Sequence, residues 1–495
     1  MTGRRILLRA AKDPFHAPSV EEMLQRNLVA TNTGNLLFSD SAYRMLSTPD
    51  VEVVTNGPSL NGHPSQAERI NEEYDAFVVP LANAFRPDFL PALRRLTGLI
   101  EKLTIPVTVL SVGAQTSLDY DLEAMAELDE PVRRFLSAVL DRSPSVGVRG
   151  ELTEAYVRHL GFSDVEVIGC PSMFLAGDSL AVRPAPELDA SSRIAVSISN
   201  WVDGIGELVM SNYDRYPGLT YFAQELRDLS LMYWGDVSAQ AAAVNDVPDV
   251  RTHPLFRDGR TVFHLDSPTW IDAMREYDLS FGTRIHGNIA ALLAGTPGFV
   301  LCHDSRTLEL SRYFEIPHAK VTDVEPGTDV AELVRDADYG PLVSGHAERL
   351  DRMTTYLAKH GFDTVYGPDG DRGAAFDERR REVAYAGPAG VWDGTADSGL
   401  GYRIAWLKDA DTRAKERLAE QNRKISLLTK QVATLEKSLA RTDALAKELA
   451  AVRKRADRVE ASVKRVAAAQ AVPLGTRVRR GLAARARRLL RFGKG

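Results

Sequence analysis

The residues best placed to do chemistry lie between positions 278 and 304, in DLSFGTRIHGNIAALLAGTPGFVLCHD. A short apolar strand ends at Phe281 and a sharp turn follows at Gly282. Arg284, His286 and Gly287 come next, then an apolar helix (Ile289 to Leu293) and a second apolar strand (Phe299 to Cys302). In an open α/β sheet, ligands bind beyond the carboxyl ends of the strands, beside helix N-termini. This order therefore sets a guanidinium and an imidazole where an anionic small molecule would sit. A lone Arg in such a turn is as often an ion-pair or capping residue, and a lone His more often a satisfied helix-start residue. Their two-residue separation across a tight turn is what favours a site.

The elements that must position these residues alternate. Short apolar strands are predicted at Arg5 to Arg9, Val51 to Thr55, Ala76 to Leu81, Val107 to Val112, Ser145 to Val148 and Glu166 to Ile168. Amphipathic helices are predicted between them, at Asn35 to Leu46, Pro87 to Glu101, Asp121 to Asp141 and Glu151 to Leu160. That alternation argues for a doubly wound parallel sheet over residues 1–180. A Pro-, Ala- and Ser-rich stretch, 181–192, reads as a linker. A fresh series over 193–362 then begins with a strand at Arg193 to Ser199. It continues with a helical stretch from Leu219 to Ala243, a strand at Thr261 to Leu265, a helix at Trp270 to Glu276, and the Gly282–His286 segment. A strand near Ala319 to Val321 and a helix at Glu348 to His360 close it. The fold class expected is α/β, with two Rossmann-like domains facing a cleft, and the cleft is the default site.

Residues 363–403, rich in Gly, Asp and Ala, read as an irregular connector. From 404 to 470 apolar residues recur at spacings of four and three: Ala414, Leu418, Ile425, Leu428, Val432, Leu435 and Leu439, then Leu445, Leu449, Val452, Ala456, Val459, Val463 and Val466. No Gly or Pro interrupts them. The pattern predicts a long α-helical coiled coil with a phase slip near Thr442 and a polar seam residue at Gln421, and so a homo-oligomer. The basic segment 473–495 places Leu482, Leu489, Leu490 and Phe492 among eight Lys or Arg and no acid, in a chain that totals 61 basic and 67 acidic residues. Such a tail suits an anionic membrane surface; nucleic acid is the disfavoured partner.

Composition excludes several classes. The two cysteines, Cys170 and Cys302, form no CxxC pair, which argues against a disulfide framework or zinc site and for a reducing compartment. No signal peptide and no membrane-spanning apolar run is visible in the sequence. The expected location is the cytoplasm, with peripheral attachment to the inner face of the plasma membrane through the tail. No carboxylate cluster points to a metal, and no cofactor is expected.

Four segments together carry a family resemblance over residues 20–325. They are Gly282-Thr283-Arg284-Ile285-His286, continuing through Ala290, Ala291, Gly295 and Pro297 to His303-Asp304; Ser111-Val112-Gly113-Ala114-Gln115; Val148-Arg149-Gly150-Glu151; and Ile168-Gly169-Cys170-Pro171-Ser172. The set resembles the polysaccharide pyruvyl transferase family. The resemblance implies a fold of the B type of glycosyltransferases. It also implies transfer of the pyruvyl group of phosphoenolpyruvate onto hydroxyls of a cell-surface or exported glycan, usually as a ketal. Family members commonly carry a glycine-rich turn after the third strand. Here Val79-Pro80-Leu81-Ala82-Asn83-Ala84-Phe85-Arg86 stands instead, and Asn83 or Arg86 would supply side-chain contacts.

On that resemblance Arg284 and His286 are the candidate catalytic residues, and Arg149, Gln115, Arg306, Asn83 and Gly282 the candidate substrate-binding ones. Guanidinium forks match the carboxylate and phosphate of phosphoenolpyruvate. His286 would act as a general acid or phosphate donor. The expected partners are phosphoenolpyruvate and a glycan or lipid-linked glycan acceptor. Two rival readings are a nucleotide-sugar glycosyltransferase of the same architecture and a non-catalytic envelope-assembly scaffold.

Overall fold

The structure, a computed structural model, describes residues 3–30, 32–57, 62–235, 246–393 and 400–470. In the first half, strand β1 (Arg4–Leu8) leads through helices α1 (Val20–Arg26) and α2 (Gly34–Leu46) to β2 (Val51–Thr55), β3 (Ala76–Pro80) and β4 (Val107–Leu110). These four strands are parallel, in the order β2-β1-β3-β4. Two more, β5 (Val146–Val148) and β6 (Val165–Val167), flank helix α3 (Glu151–His159) and pair with each other. A bridge between Val112 and Val148 joins them to β4. Ile6, Leu8, Phe77, Val78, Val107 and Val109 are all buried, as in a parallel sheet covered on both faces.

The second half holds a seven-stranded sheet. Its strands and the helices that matter here are β7 (Ile194–Val196), β8 (Thr220–Phe222), α4 (Leu226–Trp234), β9 (Thr261–Phe263), β10 (Leu279–Gly282), α5 (Ile285–Leu293), β11 (Gly298–Cys302), α6 (Ser305–Phe314) and β12 (His318–Lys320). Beyond it lie α7 (His346–Lys359), α8 (Ala374–Arg381) and β13 (Ala389–Gly390). The order is β12-β11-β10-β7-β8-β9-β13, parallel except for β13, which runs antiparallel to β9. One apolar core spans both halves: Leu37 and Phe38 of α2 belong to the same cluster as Ile289 and Ala290 of α5.

Three expectations need correction. The stretch from Leu219 to Ala243 is not helical throughout: Thr220–Phe222 is a strand, α4 follows, and residues 236–245 lie outside the described set. Pro217-Gly218 turns the chain there, and Thr, Tyr and Phe favour a strand. The second half does not keep everything to residue 362. Helix α7 packs on the first sheet, where Tyr356 donates to the Val109 carbonyl at 2.7 Å and Lys359 pairs with Glu166 at 2.8 Å. The connector 363–403 is in part regular. It contains α8 and β13, and Asp377 of α8 is ion-paired at 2.7 Å with Arg44 of α2.

Residues up to Thr395 form one compact unit and those from Ala396 a second. The second contains a single continuous helix, α9 (Leu400–Gln470). Its apolar residues Leu418, Ile425, Leu428, Val432, Leu435, Leu445, Leu449, Val452, Val459 and Val463 are 53–69% exposed in the single chain. The tail 473–495 lies outside the described residues. Among the described residues no helix is long and apolar enough to cross a membrane.

Candidate active site

Strand ends from both sheets converge on a cavity of about 710 Å³. The first half contributes Arg9 after β1, Asn83 and Arg86 after β3, Gln115 after β4 and Arg149 after β5. The second half contributes Trp201 after β7, Gln224 and Glu225 after β8, Thr283, Arg284 and His286 after β10, and Arg306 after β11. This is the crevice beyond strand carboxyl ends where α/β folds bind ligands.

Arg149 is 1% exposed, yet it has no carboxylate partner among the described ion pairs. Its Nε donates to the Ser111 carbonyl at 3.2 Å, and its buried Nη2 has no hydrogen-bond partner. Ser111 presents that carbonyl from a left-handed conformation (φ 62°), uncommon for a residue with a Cβ. Gly113 makes room: a Cβ there would stand 2.6 Å from Arg149 Cδ and 2.9 Å from the Ala82 carbonyl oxygen. Burial lowers the Arg149 pKa. A buried cation with an unused N–H is costly unless an anion meets it.

More positive charge surrounds this point. Arg306, in the first turn of α6, donates to Asp304 at 2.8 Å. Burial works to raise the Asp304 carboxyl, but Arg306 and His303 outweigh it and hold it at about 2. Burial, and then Arg306, lowers the Arg86 pKa, and the Arg86 Nε has no partner. Arg9 donates to the Pro80 carbonyl at 2.9 Å, and burial lowers its pKa to about 10.

His286 lies among these guanidiniums. Burial, followed by Arg149, Arg306 and Arg284, pushes its pKa down to about 3. The imidazole is therefore neutral near pH 7. A neutral imidazole must take up a proton before it can give one. Helix α2 presses against the ring, and a Cβ on Gly34 would fall 2.6 Å from Nδ1. The Cys170 Sγ stands 3.8 Å from Nε2, and Ser172 donates to that sulfur at 3.0 Å.

Arg284 is already engaged. It donates to the Ile198 carbonyl at 3.2 Å and to the Glu225 carboxylate, and it stacks on Trp201 with Cζ 4.7 Å from the ring centroid. Asn83 donates to Gln115, holding two candidate side chains together on the cavity wall. Gly282 does not line the cavity. Its φ of 135° and its closeness to β7, where a Cβ would meet the Ser197 carbonyl oxygen at 2.1 Å, let β10 turn Arg284 and His286 inward. Of the expected residues, Arg284, His286, Arg149, Gln115, Arg306 and Asn83 thus share one cavity, and Gly282 shapes the turn behind it.

Arg9, Gln224 and Glu225 were not anticipated. Arg9 had a signal, a cation directly after the apolar run Ile6-Leu7-Leu8. Gln224 and Glu225 were hidden by the helical reading of Leu219 to Ala243, which concealed a strand end at Phe222. Among the described residues no group of three or more His, Cys, Asp or Glu side chains could hold a metal ion.

Residues 32–305 match the family model described as polysaccharide pyruvyl transferase. No curated protein matches the sequence. Solved structures similar to the chain include a functionally uncharacterised protein from Klebsiella pneumoniae, with 13% identity, 63% of this chain and 88% of that chain covered, and a TM-score of 0.33. Another is a Methanocaldococcus jannaschii UDP-GlcNAc 2-epimerase in complex with UDP-GlcNAc and UDP (11% identity, 76% and 98% covered, TM-score 0.36). A third is the Anabaena protein HepE in complex with UDP and glucose (13% identity, 77% and 100% covered, TM-score 0.36). At that distance none of the three bears on the chemistry.

Proposed function

The chain belongs to the polysaccharide pyruvyl transferase family, a family of transferases, and on that premise we propose that it moves the pyruvyl group of phosphoenolpyruvate onto two hydroxyls of a glycan as a ketal. The observation that carries this reading is the buried, unpartnered Nη2 of Arg149 in a cavity lined also by Arg9, Arg86 and Arg306. Phosphoenolpyruvate brings two anionic groups in three carbons. Arg149, Arg306 and Arg86 are the side chains that would hold them. Arg284, tied to Glu225, serves the acceptor side instead.

The first acceptor oxygen bonds to C2 of the donor while C3 gains a proton. Inorganic phosphate then leaves C2 with the bonding electron pair, a step that the fixed cations favour. The second hydroxyl oxygen bonds to C2 and its proton goes to phosphate or solvent. His286, neutral at the outset, takes the first hydroxyl proton. The bound dianion offsets Arg149, Arg306 and Arg284, so the imidazolium formed is stabilised and serves as the acid for C3. A well-placed acid–base group contributes roughly a hundredfold to ten-thousandfold.

The α9 helix, on this proposal, pairs with a second copy along its apolar seam, and the basic tail rests on an anionic bilayer near a lipid-linked acceptor. Loss of co-sedimentation with anionic vesicles on deleting 473–495 tests the tail; unchanged sedimentation refutes it.

Calorimetric titration with phosphoenolpyruvate tests the donor site. Arg149→Gln is expected to weaken binding by at least about tenfold, the scale of one charge-assisted hydrogen bond. Equal affinity in the variant, or binding of a nucleoside diphosphate in place of phosphoenolpyruvate, would overturn the reading.

A further inference from the structure

Trp201 is 54% exposed on the wall of the cavity, an unusual place for a large indole to meet water. It is not a loose surface residue. The Arg284 guanidinium packs on the ring at 4.7 Å, and that guanidinium is itself fixed by the Ile198 carbonyl and the Glu225 carboxylate. Glu225 is ion-paired a second time, with Arg227 at 3.0 Å. Its position is set from both halves of the molecule, because Asn32 and Glu225 form a β-bridge. Indole, guanidinium and carboxylate therefore make a fixed row on the second-half wall. Arg149, with its unpartnered Nη2, belongs to the first half.

We infer that Trp201, Arg284 and Glu225 form the subsite for the saccharide acceptor, with the indole stacking on the apolar face of a pyranose ring and Glu225 accepting hydrogen bonds from its hydroxyls. This assignment rests on the proposed pyruvyl transfer for which sugar group is acted upon, but its physical basis is separate. An ionised carboxylate is an acceptor only. A pyranose offers several hydroxyl donors and a C–H face that suits an aromatic ring. A neutral polyol meets both the ring and the carboxylate without bringing a charge to either. It also explains why Arg284 is held by a carboxylate: its remaining task is to brace the platform.

The test compares wild type with Trp201→Phe, Trp201→Ala and Glu225→Gln, using methyl pyranosides of glucose, galactose and mannose as probes. Saturation-transfer NMR reads saccharide binding without phosphoenolpyruvate, and steady-state kinetics reads turnover with it. Trp201→Ala is expected to abolish the transfer signal and to raise the acceptor KM at least about tenfold, with the phosphoenolpyruvate KM within about twofold. Trp201→Phe should restore most of both, and Glu225→Gln should weaken the acceptor alone. Saccharide binding that depends on Trp201 in a protein that never consumes phosphoenolpyruvate would keep the subsite and refute the donor assignment. The subsite is overturned if no methyl pyranoside gives a signal in wild type, if Trp201→Ala leaves the acceptor KM unchanged, or if uridine nucleotides bind in a Trp201-dependent manner and displace the pyranoside.

Discussion

At Arg149 one unused N–H separates a structural side chain from a ligand. The neighbouring features serve it: the left-handed Ser111 offers its carbonyl to Nε, and Gly113 leaves space for the side chain. His286 shows why residue type alone is insufficient. An imidazole normally titrates between pH 5 and 8, but burial and then three guanidiniums bring this one down to about 3. In NMR of the free protein the His286 ring is expected to show no protonation step between about pH 5 and 8, and saturation with phosphoenolpyruvate should move the step upward. A midpoint near the ordinary histidine value in the free protein would contradict the charge arrangement. The sequence made Arg284 and His286 legible, because glycine, cation and imidazole follow an apolar strand in a short span. The engagement of Arg284 was not legible, since its partners Glu225, Ile198 and Trp201 are remote in the chain.

Among the elements, α6 ties the site to the first half. Its Glu309 is buried and accepts from the N–H and hydroxyl of Thr153 in α3, at 3.1 and 2.9 Å, next to Arg149. Burial outweighs those bonds and raises the Glu309 carboxyl to about 7, above its ordinary value of about 4.5. The folded state therefore holds a proton that the unfolded state has released, and stability falls as pH rises through that window. The decline is at most roughly 1.4 kcal/mol per pH unit from this group. Denaturant midpoints measured on both sides of the window should show it, and Glu309→Gln should remove this share; an unchanged pH dependence in the variant would contradict it. The segment β10-α5-β11 was readable because an apolar helix is punctuated by glycines on both sides. Strand β8 was not, because a three-residue strand running into an apolar helix leaves one continuous apolar pattern. The regular parts of 363–403 were equally hidden: α8 is fixed by Arg44, more than three hundred residues away.

On the scale of the whole molecule, α9 sets a question that a single chain cannot answer by packing. A helix with an apolar stripe this long gains most of its stability from a partner surface. Sedimentation of the full chain is expected to give a dimer, and the chain ending at residue 395 a monomer. A monomeric full chain at micromolar concentration would refute the seam. The heptad-like spacing was plain in the sequence because it is local, whereas the cavity was visible only as an expectation, because it is built from the ends of strands far apart in the chain. Its two walls differ in character: a buried guanidinium with an unpartnered Nη2 on one side, and a braced indole and carboxylate on the other. The measurement that tests this division most directly is turnover with phosphoenolpyruvate and a pyranoside acceptor, following phosphate release and acceptor mass together. Phosphate released in step with an acceptor that gains one pyruvate ketal, both lost in Arg149→Gln, is the predicted result. Sugar transfer from a nucleotide donor with phosphoenolpyruvate left intact would contradict it.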